Sequence, residues 1–263
     1  LMIRRPPRST LDRSSAASDV YKRQVYISPK SLAENRVTSQ MAGPVIQAVV
    51  NQIGQSETGL VLFRRDDEVE VVEPPIPLTM DAIAEGQDSF MLEDFFNDPV
   101  VIGVVLLRLG RFAVGLYEGG TLLSSKTEGR YVKNRHRAGG SSQRRFERSR
   151  ERLIRELFDK ACLTARSILG GVSQSPDLDY ILLGGEKHTL NQFIKRCEYL
   201  RNLQHKVLGR TLHVENPNQE ALEGISAEIY KSKGTSFVRG ALFCFLWRSK
   251  YFNRGGFKRW EDS

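Results

Sequence analysis

A short segment, Gly139-Gly140-Ser141-Ser142-Gln143, combines residue types that could act chemically on a bound substrate. Two consecutive glycines let the backbone approach another surface closely and adopt positive φ angles. Either serine could cap a following helix, which would place Gln143 in the first helical turn, where free N–H groups and the helix dipole attract anions. A glutamine amide is no base at neutral pH, but it offers a donor and an acceptor that can orient a water molecule. Taken alone, the segment also fits an ordinary glycine-containing loop that ends in a serine cap.

Basic residues are concentrated around this segment. From Lys126 to Arg155 the sequence has eleven basic and three acidic residues, and this excess of +8 equals the formal net charge of the whole chain. Nine of the eleven bases are arginines, which suit bidentate contacts with phosphate oxygens. A solvated helix face with i,i+4 ion pairs is the alternative, but three acids cannot neutralise eleven bases. The pattern therefore favours a polyanionic partner.

The elements that would position this segment can be predicted from hydrophobic periodicity and turn residues. The predicted strands cover residues 100–109, 111–117, 121–127, 180–183 and 206–214. The predicted helices cover residues 143–169, 190–203 and 218–231. The long helix has apolar residues at spacings of three and four, and Gly170-Gly171 would end it. Three meandering strands followed by alternating helices and strands indicate an α/β (α+β) fold with a mixed β-sheet flanked by helices.

Three further regions lie outside this domain. Residues 1–24 are rich in Arg, Ser and Pro without an apolar period; they resemble a translated adaptor sequence, and we expect no ordered structure there. Residues 25–78 predict a small N-terminal module with a helix over 31–53, a hairpin of strands 59–63 and 68–72, and a stiff proline-rich linker from 73 to 78. Residues 237–263 form an aromatic and basic tail, interpreted either as a shifted reading frame or as a segment that touches RNA.

Cysteine usage and hydropathy argue against several classes of protein. Cys162, Cys197 and Cys244 are scattered and odd in number, which predicts neither a disulfide framework nor a zinc site. We expect Cys162 and Cys197 to lie in helices as core or partly buried residues, in a protein of a reducing compartment. The longest apolar runs, such as residues 100–107, are far short of a membrane span. The expected location is the cytoplasm, with no cofactor, metal or membrane partner.

The stretch from Lys133 to Glu151 resembles the catalytic loop and helix of eukaryotic and archaeal class-1 peptide chain release factors. That family has a basic lead-in, Gly-Gly-Gln, and an R-F-x-R-x-R helix; here residues 145–150, RFERSR, match the helix and Gly139-Gly140 match the glycine pair. The glutamine comes two residues later, and this Gly-x-x-Gln pattern resembles the VLRF-type peptidyl-tRNA hydrolases, which free nascent chains from stalled large ribosomal subunits. The run YILLGG at 180–185 also fits, and the resemblance covers residues 97–235.

The resemblance implies a release-factor middle-domain fold for residues 97–235 and hydrolysis of the ester in peptidyl-tRNA. It implies a monomer whose partners are the large ribosomal subunit, peptidyl-tRNA and ribosomal RNA. The implied catalytic residues are Gln143, Gly139, Gly140, Ser141 and Ser142, with backbone N–H groups beside Gly140 stabilising the oxyanion. The implied RNA-binding residues are Lys133, Arg135, His136, Arg137, Arg144, Arg145, Arg148, Arg150 and Arg152.

Alternative readings of these residues stay open. The chain could be a ribosome-associated or RNA-binding factor without catalysis, or a nuclease that cuts tRNA near its CCA end. His136 could contact phosphate, shuttle a proton, or be a solvated loop residue. Ser141 or Ser142 as a covalent nucleophile would lack a visible His/Asp arrangement. Gly184-Gly185 could form a turn or a phosphate-binding loop.

Overall fold

The computed structural model describes residues 23–36, 39–66, 68–85, 99–129, 132, 141–170, 177–238 and 241–247. The chain folds into two compact units. The first unit comprises the described residues within 1–73, 78–89 and 234–245, and the second those within 74–77, 90–233 and 246–263. Each unit is built around its own β-sheet.

The described residues form eleven strands and seven helices. The strands are β1 (Arg23–Ile27), β2 (Leu60–Arg65), β3 (Glu68–Glu73), β4 (Ala82–Glu85), β5 (Val101–Arg108), β6 (Arg111–Glu118), β7 (Thr121–Gly129), β8 (Tyr180–Gly185), β9 (Val207–Leu212), β10 (Ser232–Val238) and β11 (Ala241–Trp247). The helices are α1 (Pro29–Ala33), α2 (Ser39–Ile53), α3 (Ser141–Leu169), α4 (Lys187–Arg196), α5 (Glu198–Asn202), α6 (Gln219–Gly224) and α7 (Ser226–Ile229), with a 3₁₀ turn at Gln204–Lys206.

The first unit has a six-stranded sheet in the order β11-β10-β3-β2-β1-β4. The predicted hairpin is confirmed, because β2 and β3 pair antiparallel with Leu62 opposite Val71.

The predicted helix over 31–53 is wrong as a single element: α1 and α2 are separate, and α2 is broken where Gly43 has a φ of 80° next to Pro44. The leader boundary at residue 24 is also wrong, because β1 starts at Arg23 and Gln24 is only 3% exposed. Strands β4, β10 and β11, the last within the predicted tail, were not foreseen.

The second unit has a five-stranded mixed sheet in the order β7-β6-β5-β8-β9. The predicted meander is confirmed, since β5, β6 and β7 pair antiparallel in sequence, while β8 and β9 join in parallel. Alternate residues of β5 enter two different cores: Val105 packs with α3, α4 and α5, and Val104 packs with α6 and α7. Burial on both faces explains the unbroken apolar run in this strand. The predicted fold class, a mixed sheet flanked by helices, is correct.

The helices after β8 are shorter than predicted. The helix expected over 190–203 is interrupted at Cys197, whose φ of −81° and ψ of 101° are extended. The helix expected over 218–231 is divided into α6 and α7, and β10 begins at Ser232.

The Gly184-Gly185 pair has a packing explanation. Gly185 has a φ of 134°, and a Cβ there would lie 2.1 Å from the carbonyl oxygen of Leu107. A Cβ at Gly184 would lie 2.5 Å from the Leu106 side chain. Both glycines therefore let β8 pair closely with β5, which is a structural requirement independent of any phosphate.

Candidate catalytic and RNA-binding site

Helix α3 has one half that contains buried residues and one half that contains none, although Ile154 in the half without them packs partly buried against the core. It contains 29 residues, so its axis is about 43 Å long. Leu157, Ala161 and Ala165 are fully buried against the sheet of the second unit. By contrast, none of residues 143–156 is buried. We call residues 143–156 the projecting half and residues 157–169 the anchored half.

Polar and covalent contacts reinforce the anchored half. Lys160 forms an ion pair with Glu128 of β7, whose other partner, Lys126, lies at 3.4 Å. The hydrogen bond from Lys160, followed by that from Lys126, lowers the pKa of Glu128, although partial burial opposes the shift. Asp159 accepts two hydrogen bonds from Arg196 of α4, at 2.6 and 2.7 Å, and this contact raises the pKa of Arg196.

A disulfide joins Cys162 of α3 to Cys197, the residue between α4 and α5, with the two Cα atoms 5.4 Å apart. This corrects the expectation that no disulfide would form, and cysteine usage therefore no longer supports a reducing compartment. The two cysteines are 35 residues apart in sequence, and only the packing of α3 against α4 and α5 brings them together. Next to them, the rings of Phe158 and Phe193 pack with centroids 5.7 Å apart. The base of α3 is therefore held by a core, two ion pairs and a covalent bond.

The projecting half has one side in line with the buried face of α3, and its other sides carry exposed arginines. Each residue rotates the helix by about 100°, so the side of α3 that carries Leu157 also carries Gln143, Phe146 and Arg150. Phe146 is 47% exposed, and Arg150 is partly exposed. The other arginines of this half are exposed to solvent: Arg144, Arg145, Arg148, Arg152 and Arg155. Arg152 has a weak i,i+4 contact with Glu156, at 3.9 Å.

Gln143 occupies the first turn of α3. Its side chain is partly exposed, and its Nε2 donates a hydrogen bond to Oε1 of Glu147, one turn along, at 3.2 Å. The N–H groups in the first turn of a helix have no acceptor within the helix, so a side chain, water or a ligand must supply one. Glu147 was not among the predicted site residues, although its i,i+4 spacing from Gln143 was a signal that could have identified it.

The structure places the predicted site residues in three groups. Gln143, Arg144, Arg145, Arg148, Arg150 and Arg152 all lie on the projecting half of α3. Ser141 and Ser142 lie in the first turn, because the helix begins at Ser141, two residues before the start expected at about Gln143. Gln143 is in the first turn as predicted, but neither serine precedes the helix as a cap would. The rest of the predicted site lies outside the described residues: Lys133, Arg135, His136, Arg137, Gly139 and Gly140.

Two negative observations apply to the part of the chain that the structure describes. In those ranges, no group of three or more His, Cys, Asp and Glu residues could hold a metal ion. No helix built from the described residues combines the length and the apolar character needed to cross a membrane.

Comparison with known proteins finds similarity to release factors. The family model for the Actinobacteria/chloroflexi VLRF1 release factor matches residues 101–233, half of the chain. Peptide chain release factor subunit 1 of Methanopyrus kandleri is 28% identical over 199 residues, covering 71% of this chain and 47% of that protein. The protein of the same name from Archaeoglobus fulgidus is 29% identical over 187 residues, covering 65% and 45%. The chain thus spans about half the length of the curated relatives it matches.

The solved structures that match this chain include an archaeal translation termination factor, at 17% identity and a TM-score of 0.37. The match covers 81% of this chain and 68% of that one. Pelota of Archaeoglobus fulgidus is 12% identical with a TM-score of 0.30, covering 78% and 54%.

Proposed function

We infer a function from the family to which this chain belongs, the VLRF1 release factors of Actinobacteria and Chloroflexi. We propose that the protein is a peptidyl-tRNA hydrolase that releases nascent chains from stalled large ribosomal subunits through its Gly-x-x-Gln segment. The observation that carries the proposal is the position of Gln143. It lies in the first turn of a helix whose base is fixed in the core and whose projecting half carries six arginines but no buried residue.

The proposed reaction is hydrolysis of the ester that joins the peptide to the 3′ end of tRNA. The oxygen of a water molecule attacks the carbonyl carbon of the ester, and the carbonyl oxygen becomes negative. The bond from this carbon to the ribose oxygen then breaks, and a proton of the attacking water is transferred to the ribose oxygen, which gives a peptide carboxylic acid and a tRNA hydroxyl. Gln143 can accept a hydrogen bond from the attacking water and so orient it. The N–H groups at the start of α3 would stabilise the developing negative oxygen, because N–H groups at a helix start and the helix dipole both favour an anion there.

The arginines of the projecting half would dock this reactive end on RNA. Arginine binds phosphate oxygens through a planar, bidentate set of donors, and such contacts fix orientation without reading sequence. We propose ribosomal RNA of the large subunit and peptidyl-tRNA as the partners, and a cytoplasmic monomer as the working form. Size-exclusion chromatography coupled to light scattering would test the monomer.

The central experiment is single-turnover release from stalled large subunits that carry labelled peptidyl-tRNA. Gln143→Ala should bind the subunit with parent affinity but release peptide about 10²–10³ times more slowly, as is typical when one positioned polar group of a preorganised site is removed. Gln204→Ala is the matched control, because Gln204 is an exposed glutamine on a distant 3₁₀ turn and should have no effect.

Mapping both products separates the alternatives. Ester hydrolysis leaves tRNA with an intact CCA terminus, whereas a nuclease would leave tRNA shortened at that end. Release by Gln143→Ala at the parent rate would remove the catalytic assignment. Binding of the parent protein without either product would support a factor that docks on the ribosome and does not cleave.

A further inference from the structure

We propose that Glu147 is a positioning residue for the reaction: it holds the Gln143 amide in the one orientation that turns its carbonyl oxygen toward the attacking water. The inference rests on the proposed function of Gln143. It adds a residue that the Gly-x-x-Gln pattern does not contain, and it assigns a chemical direction to the amide.

The geometry of the pair supports this role. Glu147 follows Gln143 by one helical turn, so the two side chains lie on the same face of α3, and the amide nitrogen is 3.2 Å from a carboxylate oxygen. A carboxylate has only acceptors, while an amide has a donor end and an acceptor end. The nitrogen must therefore face Glu147, which leaves Oε1 of Gln143 to accept a hydrogen bond from another group.

The contact has two physical consequences for a water molecule at this site. A glutamine in the first turn of an exposed helix otherwise samples several rotamers and both amide orientations, and only some of them present an acceptor. The hydrogen bond restricts this sampling before substrate arrives. A charged acceptor on the nitrogen also polarises the amide and makes its oxygen a stronger acceptor, because hydrogen bonds in a chain reinforce one another.

The charge of Glu147 is otherwise unfavourable at this position. It lies among arginines proposed to bind RNA phosphates, so an acid here weakens the positive field that attracts the partner. Removing Glu147 should therefore strengthen binding while it slows release. That combination of opposite effects separates a positioning role from a simple electrostatic one.

The test compares four proteins in the single-turnover assay over a range of protein concentrations: the parent, Glu147→Ala, Glu147→Gln and Glu151→Ala. Glu151 is the matched control because it is also an exposed acid of the projecting half and its removal changes the charge equally. We expect Glu147→Ala to lower the saturating rate about tenfold, the effect of one net hydrogen bond, with a half-saturating concentration equal to or below that of the parent. Glu147→Gln, whose side-chain oxygen can still accept from Gln143, should recover most of this rate.

Each possible result either supports or overturns the proposed role of Glu147. A parent-like saturating rate for Glu147→Ala would overturn the inference, and if Gln143→Ala remained slow the proposed function would stand. An equal loss in Glu147→Ala and Glu151→Ala would also overturn it, since the effect would then follow charge. Failure of the proposed function is seen separately, as parent-like release by Gln143→Ala. Far-ultraviolet circular dichroism of each variant confirms that the helix is retained.

Discussion

Replacing Cys162 by serine should lower stability without unfolding the second unit. The disulfide closes a loop of 35 residues, and the loss of loop-closure entropy for that length corresponds to about 4 kcal/mol at 25 °C. At roughly 2–4 °C for each kcal/mol in a protein of this size, Tm should fall by roughly 8–16 °C. The fold should survive, because Leu157, Ala161 and the Asp159–Arg196 pair still hold α3 in place.

Thermal unfolding followed by circular dichroism measures this effect. The parent is compared with and without a reductant, alongside Cys162→Ser and the control Cys244→Ser. Cys162 is the better site for substitution, because it is only partly buried, whereas Cys197 is 1% exposed and a hydroxyl there would add a desolvation cost. The reduced parent and Cys162→Ser should unfold at similar temperatures, and Cys244→Ser should keep the full sensitivity to reductant.

The reasoning is refuted if reductant leaves the Tm of the parent unchanged and iodoacetamide labels both Cys162 and Cys197 when the unreduced protein is unfolded in urea. A decrease of only a few degrees, with the disulfide shown to be intact beforehand by mass spectrometry, would mean that the unfolded chain is already compact and that loop entropy overstates the contribution.

The remaining predictions concern RNA binding, pH and packing. If the projecting half neutralises about five phosphates, log Ka for ribosomal RNA should fall with log salt at a slope of roughly −4, and the double variant Arg148→Glu with Arg152→Glu should reduce that slope by roughly 2 in filter-binding titrations. The lowered pKa of Glu128 means that its ion pair adds stability above the ordinary pKa of 4.5 and loses it as the pH falls through the lowered pKa. In urea unfolding, Glu128→Gln should therefore be less stable than the parent near pH 7, and the difference should disappear at acidic pH below the lowered pKa. Leu157→Ala should cost about 2–5 kcal/mol in urea unfolding, because Leu157 is 0% exposed, whereas Leu163→Ala should change stability by less than about 0.5 kcal/mol, because Leu163 is 69% exposed.

The sheet of the second unit was predictable because its signals are local. Strands β5 to β7 are connected by tight glycine turns, so consecutive hydrophobic runs pair with their neighbours in sequence. The long helix α3 has a regular apolar face through its anchored half, and Gly170 marks its end. These features depend on residues only a few positions apart, which is the range over which periodicity is informative.

The features that the sequence did not predict depend on distant partners. Strand β4 has only four residues, and its partner β1 lies more than fifty positions earlier. The break at Cys197 and its bond to Cys162 arise from the packing of helices that no local pattern brings together. At the candidate site, residue types and spacing identified Gln143 and the arginines, but not the contact with Glu147 or the start of α3 at Ser141.

The anchored half of α3 mainly stabilises the fold, and the projecting half is the part that can bind a partner. This difference arises because the core ends near Leu157. The anchored half contains every fully buried residue of the helix, together with its ion pairs to β7 and α4 and the disulfide. The projecting half has six arginines, one amide and three acids but no fully buried side chain, and Ile154 packs against the core only as a partly buried residue. Substitutions of the exposed residues before Leu157 can therefore change binding and catalysis with little effect on Tm, whereas substitutions of the buried residues from Leu157 onward act first on stability. A single oriented amide supplies only part of a hydrolytic site, so in the proposed reaction the RNA that the arginines bind must provide the remaining surface around the ester.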